Sequence, residues 1–229
     1  MYKKFAFFYD RANSSDFYNH YAYFIKKIIK ENKIIKVKLL DLACGTGWLI
    51  QYLKPFCSTI EGADLSQEML EIAKHKNKKT KYYHQSFLNL NTKKKYNVII
   101  STFDSINYLT SKRDLERAFK KVTKHLISGG LFIFDFNTIY KRLDKEIKKD
   151  NITYHNLFRN KYWFITIDIK IGQKIFKEYH QERLYSLAEV KSALKESELV
   201  VTSVYSSFNK KKAKAAKAPR LFIVAKKIK

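Results

Sequence analysis

The sequence predicts an α/β fold, a doubly wound parallel sheet, on three observations. Strand-length apolar runs alternate with amphipathic helical stretches through the first 136 residues. The run Lys38-Leu39-Leu40 ends in Asp41-Leu42 and passes through small residues, Ala43-Cys44-Gly45-Thr46-Gly47, into a helical pattern. The stretch 131–136, almost wholly apolar, has the character of a strand buried on both faces.

The elements follow in order. Residues 1–35 read as helical, with Tyr21, Phe24, Ile25, Ile28 and Ile29 at three- and four-residue spacing. Strand 1 spans about 37–42, and a helix follows the glycines until Pro55. Strand 2 is about 59–63. Ser66 is the expected cap of the next helix, and 74–79 reads as a basic loop. Residues 81–84 and 96–101 form strands 3 and 4. A helix covers 112–126, with Ser111 and Asp114 competing for its cap, and Gly129-Gly130 ends the connection to strand 5 at 131–136. The pattern then changes. Residues 162–171 and 173–179 alternate around Gly172, an antiparallel hairpin inserted after strand 5. A helix over 186–197 precedes two closing strands, 199–206 and 221–226, which can pair antiparallel across a lysine- and alanine-rich loop at 209–217.

Composition sets limits. A chain of 229 residues, 45% hydrophobic and 15% aromatic, suits one domain or one domain with an insertion. Its apolar runs, such as 131–134 and 221–225, are too short to span a bilayer, and the opening residues lack a secretory signal. With only Cys44 and Cys57, and one of them in the glycine turn, a structural disulfide is not expected and a cytoplasmic location is. The formal net charge of +25 admits a polyanionic partner. Yet only seven of the 46 basic residues are arginine, the preferred bidentate reader of phosphate, so a lysine-rich coding bias competes with that reading.

The site is read from the strand ends. Small residues after strand 1 let a ligand approach the backbone closely. About twenty residues on, Glu61-Gly62-Ala63-Asp64-Leu65 ends a second apolar run in an acid, suited to the two hydroxyls of a ribose. The pattern Gly-x-Gly-x-x-Gly is absent, so no pyrophosphate loop is indicated. These features point to an adenosine-containing cofactor at the carboxyl edge of the sheet.

At this point the residues resemble the class I S-adenosylmethionine-dependent methyltransferases. The resemblance rests on Asp41-Leu42-Ala43-Cys44-Gly45-Thr46-Gly47, on 62–70 and on 126–133, with Ala43 in place of the family's first glycine. The opening Tyr2-Lys3-Lys4-Phe5-Ala6 to Tyr9-Asp10, with 103–109, narrows it to small bacterial methyltransferases of unassigned substrate. It implies a Rossmann-like seven-stranded sheet with an antiparallel C-terminal strand pair, a single domain over 1–229, a helical lid at 1–35 and an inserted β segment at about 150–182. It implies S-adenosylmethionine as cofactor and S-adenosylhomocysteine as product. Asp41, Ala43, Gly45 and Gly47 would line the methionine moiety. Asp64 would hold the ribose, Leu65 would pack on adenine, and Ser86 and Phe87 would flank it. The family favours an acid where Ser86 stands. Thr102 and Phe103 would face the methionine end, with Tyr9 over the cofactor.

The catalytic group stays open. Asp104, Asn107 and Tyr108 sit where the family binds acceptors, and serve equally well as a capped loop. Asp135 and Asn137 end strand 5 on the ligand edge. His155 and His180 lie in or beside the insertion, where a histidine can deprotonate an acceptor or simply pack. Asp104, Tyr108 and His180 are the candidates. The aromatics Tyr154, Phe158, Tyr162, Trp163 and Phe164 either wall an acceptor pocket or cover a sheet. No metal-ligand spacing is present. Three functions compete: methyl transfer to nitrogen or oxygen of a small molecule, methyl transfer to rRNA or tRNA, and a non-catalytic cofactor-binding or assembly role. Oligomeric state is not legible.

Overall fold

The computed structural model describes residues 5–12, 15–142, 146–208 and 217–228. Seven strands form the main sheet: β1 (Lys38–Leu42), β2 (Thr59–Asp64), β3 (Lys81–His84), β4 (Tyr96–Ser101), β5 (Leu126–Asn137), β10 (Leu199–Tyr205) and β11 (Arg220–Lys227). Their order is β10-β11-β5-β4-β1-β2-β3. The five strands from β1 to β5 run parallel, and β11 pairs antiparallel with both β5 and β10. This is the Rossmann-like α/β arrangement with an antiparallel C-terminal pair that the sequence predicts.

Side chains alternate across this sheet and divide the core in two. Leu39, Val98, Ile100, Leu131 and Ile133 face one way, under α2 (Ser15–Glu31) and α3 (Trp48–Leu53). Leu40, Ile99, Phe132, Phe134 and Phe136 face the other, under α5 (Lys112–His125) and α6 (Leu187–Lys195). On α2, Tyr21, Phe24, Ile25, Ile28 and Ile29 make one buried stripe, as their spacing requires. Ser66 caps α4 (Gln67–Lys76) by accepting from the Met69 N–H at 3.2 Å. Ser111 caps α5 by accepting from the Asp114 N–H, and its hydroxyl also donates to the Asp114 carboxylate, so the two competitors share one cap. Ser186 and Glu189 form a reciprocal capping box on α6.

Several expectations change. The opening helix is two helices, α1 (Ala6–Ala12) and α2. Helix α4 runs on to Lys76, so the expected basic loop begins later. Gly129-Gly130 does not precede β5 but lies within it. The strand starts at Leu126, directly after α5, and shifts register between Tyr96↔Leu126 and Val98↔Leu131. Gly129, at φ +75°, takes up that irregularity. The inserted hairpin is present as β8 (Tyr162–Ile171) and β9 (Lys174–Arg183) and is extended by β6 (Ile147–Lys149) and β7 (Ile152–Arg159) into a four-stranded antiparallel sheet. Ile152, Ile167 and Ile169 on its inner face pack against Phe5, at the start of α1. The lysine- and alanine-rich loop lies, over 209–216, outside the described residues.

Packing is tight beside the glycine turn. A Cβ on Gly62 of β2 would stand 2.7 Å from the Tyr82 ring and 2.8 Å from Cys44 Sγ. Gly62→Ala is therefore expected to cost about 1–3 kcal/mol, read as a lower denaturation midpoint.

Candidate active site

Strand β1 ends at Leu42, and the chain then turns through Ala43 at φ +65°, Gly45 at +52° and Gly47 at +74° into α3. Backbone bonds sew this turn to β2. The Ala63 carbonyl accepts from both Ala43 N–H and Cys44 N–H, at 2.7 and 3.0 Å. The Asp64 carboxylate accepts from Gly45 N–H at 2.7 Å and from Ser66 N–H at 2.9 Å. A Cβ on Gly45 would meet nothing within 4 Å, so its backbone is open to the space in front of it. Gly47 differs. A Cβ there would press on Tyr82 Oη at 3.0 Å and on Ala73 and Asn77 at 3.1 Å, so this glycine is a packing requirement.

In front of the turn is a cavity of about 550 Å³ at the carboxyl edge of β1, β2 and β4. Of the residues expected at the cofactor, Tyr9, Asp41, Ala43, Gly45, Asp64, Leu65, Ser86, Phe87, Thr102 and Phe103 line it; Gly47 does not. Ser86 is held there by Asn89, whose Oδ1 accepts from both its N–H and its hydroxyl. Also in the wall are Tyr18, Trp48, Glu68, His84 and Gln85, which sequence reasoning missed. Trp48 and Tyr18 had a signal of a kind, as aromatics on the two helices that flank the turn.

The charge in this wall runs against the surface. The lining carries Asp41, Asp64 and Glu68, and among the described residues that line it none is lysine or arginine. Asp41 is 1% exposed, and its Oδ1 has no hydrogen-bond partner among the described residues. Burial, then the neighbouring Asp64, pushes its carboxyl up to about 8. Burial also raises Asp64, against the N–H groups of Ser66, Gly45 and Leu65, which favour its charged form. A buried carboxylate oxygen without a partner, facing an acid-lined cavity, fits a cationic ligand such as a sulfonium or ammonium group. No group of three His, Cys, Asp or Glu side chains is placed to hold a metal ion among the described residues.

Helix α1 closes one side. Asp10 accepts from the Thr46 hydroxyl at 2.5 Å and from Lys76 Nζ at 2.8 Å. Lys76 in turn sits 4.3 Å over the Trp48 ring, which stacks on Tyr18 at 5.8 Å. A second wall is a strained turn after β4, whose Phe103 ring lies 5.1 Å from that of Tyr18 between centroids. Phe103 and Asp104 both adopt left-handed backbone, at φ +59° and +53°. Their N–H groups donate to the fully buried Asp135 at 2.8 and 3.0 Å. Arg220 pairs with Asp104 at 2.9 Å and with Asp135 at 3.4 Å, and Asn137 donates to Asp104 and Glu182. Burial pushes the Asp135 carboxyl up to about 6, although Arg220 opposes the shift. Asp104, Asp135 and Asn137 thus form a clamp behind the wall, while Phe103, Ser105 and Tyr108 face the cavity. Asn107 is part of the same clamp: its amide bridges Asn137 to the Arg183 carbonyl.

The two histidines separate. His180 is buried, with Nδ1 3.2 Å from the Tyr108 hydroxyl. His155 lies on the outer face of the four-stranded sheet beside Glu146 and Asp168, away from the cavity. Tyr154, Phe158, Tyr162, Trp163 and Phe164 are not in the cavity wall; Phe158 and Trp163 stack on each other at 5.3 Å.

Comparison with known proteins agrees with this geometry. Residues 39–130 match a methyltransferase domain family. The structure of an S-adenosylmethionine-dependent methyltransferase from Clostridium acetobutylicum superposes with a TM-score of 0.87 at 32% identity, covering 100% of this chain and 99% of that one. The chain belongs to the S-adenosylmethionine-dependent methyltransferases. A protein of Geobacillus sp. (strain WCH70) named as a methyltransferase is 26% identical over 99% of both chains. A Streptomyces fradiae enzyme named dTDP-3-amino-3,6-dideoxy-alpha-D-glucopyranose N,N-dimethyltransferase is 25% identical over 52% of this chain and 46% of its own. S-adenosylmethionine is the family's cofactor, and the acid-lined cavity fits its cationic end. No helix among the described residues is long and apolar enough to cross a membrane.

Two tests follow from the acids. With its carboxyl held near 8, Asp41 is mostly protonated at pH 7 in the empty protein, and a cation beside it drives ionisation. Calorimetry with S-adenosylmethionine at pH 7, in buffers of different ionisation enthalpy, should show release of close to one proton, lost in Asp41→Asn. In the empty protein the same shift destabilises the fold as pH rises. Its contribution is complete below the ordinary carboxylate range and is lost as pH climbs through about 8, so the denaturation midpoint should fall more steeply in the wild type than in Asp41→Asn. Asp64→Ala should weaken cofactor binding about 10- to 100-fold, the loss of charged hydrogen bonds worth roughly 1.5–3 kcal/mol.

Proposed function

We propose that the protein transfers a methyl group from S-adenosylmethionine to nitrogen or oxygen of a small-molecule acceptor and releases S-adenosylhomocysteine. The observation that carries the acceptor class is the contrast in charge: a chain of net charge +25 lines its cavity with three acids and, among the described residues, no lysine or arginine. An RNA acceptor would bring phosphates to a wall that repels them. The lysines gather elsewhere. Lys93, Lys94, Lys95, Lys121 and Lys124 surround a shallow depression where β4 and β5 begin, at the opposite edge of the sheet from the cavity. The fradiae relative acts, by its name, on an amino sugar nucleotide, which is consistent with a small amine-bearing acceptor.

In this reading Asp64 accepts from the ribose hydroxyls, Asp41 lies by the cationic end, Leu65, Ser86 and Phe87 border the adenine, and Tyr9 covers the ligand from α1. The cofactor supplies a methyl group on cationic sulfur. The protein's own work is to hold the acceptor atom about 3–3.5 Å from that carbon, in line with the bond that breaks, and to exclude water. Phe103, Ser105 and Tyr108 hold the acceptor side, kept in place by the Asp135–Arg220 clamp.

The +25 charge and the lysine depression favour a second reading, an RNA methyltransferase. Incubation with methyl-labelled cofactor, against a panel of small amines and hydroxylated metabolites and against total tRNA and rRNA, separates the two. Label is expected in the small-molecule fraction and not in RNA. Label in RNA, removed by ribonuclease, would reverse the assignment. Tight cofactor binding with no label anywhere would favour a non-catalytic role.

A further inference from the structure

Behind the acceptor side of the cavity wall stands a chain of three polar side chains with no part in the clamp. Tyr108, on the helical turn Ser105–Tyr108, contributes to the wall. Its hydroxyl is 3.2 Å from Nδ1 of the buried His180, on β9. His180 Nε2 is 3.7 Å from Oε2 of Glu178, two residues along the same strand and therefore on the same face. Glu178 Oε1 accepts from the Phe5 N–H at 2.8 Å, and the Phe5 ring meets the His180 ring edge-on with centroids 6.5 Å apart. The chain thus runs from the cavity, through a buried imidazole, to a carboxylate fastened to the start of α1.

We propose that Tyr108, His180 and Glu178 form a proton relay that deprotonates an ammonium acceptor, so the acceptor is a primary or secondary amine. This rests on the methyltransferase reading above. An amine is mostly protonated near pH 7 and cannot attack carbon until one proton leaves. Such a cation enters a cavity whose lining as a whole carries three acids and, among the described residues, no lysine or arginine. A hydroxyl acceptor, neutral in water, would draw no such benefit from the acids.

The step balances. The acceptor N–H proton passes to the Tyr108 oxygen as the Tyr108 hydroxyl proton passes to His180 Nδ1. The nitrogen lone pair so freed forms the new bond to the methyl carbon, the carbon–sulfur bond breaks, and its electron pair stays on sulfur. His180 becomes an imidazolium opposite the Glu178 carboxylate and later gives its proton to solvent. Tyr108 is neutral before and after. Glu178 Oε2 is buried without a hydrogen-bond partner among the described residues, so at 3.7 Å the carboxylate faces the imidazole as an ion-pair partner, while the Phe5 N–H holds its other oxygen. Among the described residues, titratable groups on this side include Glu182, on the same face of β9 and occupied by Asn137, with Tyr154 of β7 and Tyr9 of α1, both in contact with Phe5. From β8, the residue paired with His180 is Ile165, which carries no charge. Glu178 acts through His180, and His180 through Tyr108, so both are positioning residues for the group at the wall.

The relay requires His180 to carry its proton on Nε2 and accept at Nδ1. Nitrogen-15 NMR of histidine-labelled, cofactor-product-bound protein should show that tautomer; an Nδ1–H tautomer would overturn the proposal with no acceptor needed. Turnover is then measured with 3-amino-3-deoxy-D-glucose, spermidine and benzylamine as probes. Tyr108→Phe and His180→Asn should lower kcat by about 100-fold with KM and calorimetric cofactor affinity unchanged. The acidic limb of the pH–rate profile should move up toward the free amine's own titration in both variants, and to lower pH in Glu178→Gln. A limb that stays in place in all three variants would overturn the relay, and no turnover of any probe by the wild type would overturn the amine assignment. Absent cofactor binding by the wild type would strike the methyltransferase reading instead.

Discussion

One peptide unit holds the site together. The Ala63 carbonyl, one residue before the end of β2, accepts from two consecutive N–H groups of the turn after β1, and the next residue, Asp64, takes a third from Gly45. These bonds fold three residues of positive φ against the neighbouring strand and leave the Gly45 backbone facing open space. Without them the turn would have no reason to prefer its left-handed geometry, and Asp41 and Asp64 would not share a cavity. The parallel pairing of β1 with β2, in which Asp41 lies opposite Gly62, sets the spacing. Gly62 has no side chain because Tyr82 and Cys44 already occupy the place where one would go.

The electrostatics of the cavity stand apart from those of the molecule. Burial keeps Asp41 and Asp64 away from solvent and from the many surface lysines, so their field is felt mainly by what enters the cavity. The wall after β4 is built by another device: two strained residues are held by a buried carboxylate whose charge Arg220 offsets. Acids without a cation define one side, and an acid with a cation supports the other. Only the first is poised to take up a positive ligand.

Much of this was legible along the chain because it is local. An apolar run ending in an acid, then small residues, then a helical pattern, places Asp41, Gly45 and α3 with no knowledge of the rest. Ser66, Ser111 and Ser186 announce helix starts by the same local logic. What escaped depends on residues far apart in sequence. The clamp joins Asp104, Asp135 and Arg220 from three elements, and no periodicity links them. It turned Asp104 from an acceptor-facing candidate into a support. Within the inserted β segment expected at about 150–182 only one hairpin was resolved into strands, because Ile152–Arg159 carries too little apolar alternation; β7 is a strand because β8 offers it an edge, and β6, at Ile147–Lys149 before that segment, because β7 does. The start of β5 was misplaced because Gly129-Gly130 reads as a stop in isolation, whereas pairing with β4 and β11 carries the strand through it.

The aromatic ladder at the base of α3 has an optical consequence. Trp48 is one of only two tryptophans in the chain. It lies between Tyr18 and Tyr52, at 5.8 and 6.1 Å, beneath the ammonium of Lys76, and borders the cavity. The other, Trp163, is stacked on Phe158 in the separate sheet. The indole at 48 is therefore a built-in fluorophore whose emission responds when the cavity fills or the ammonium above it moves, with the second indole as a steady reference in the same spectrum.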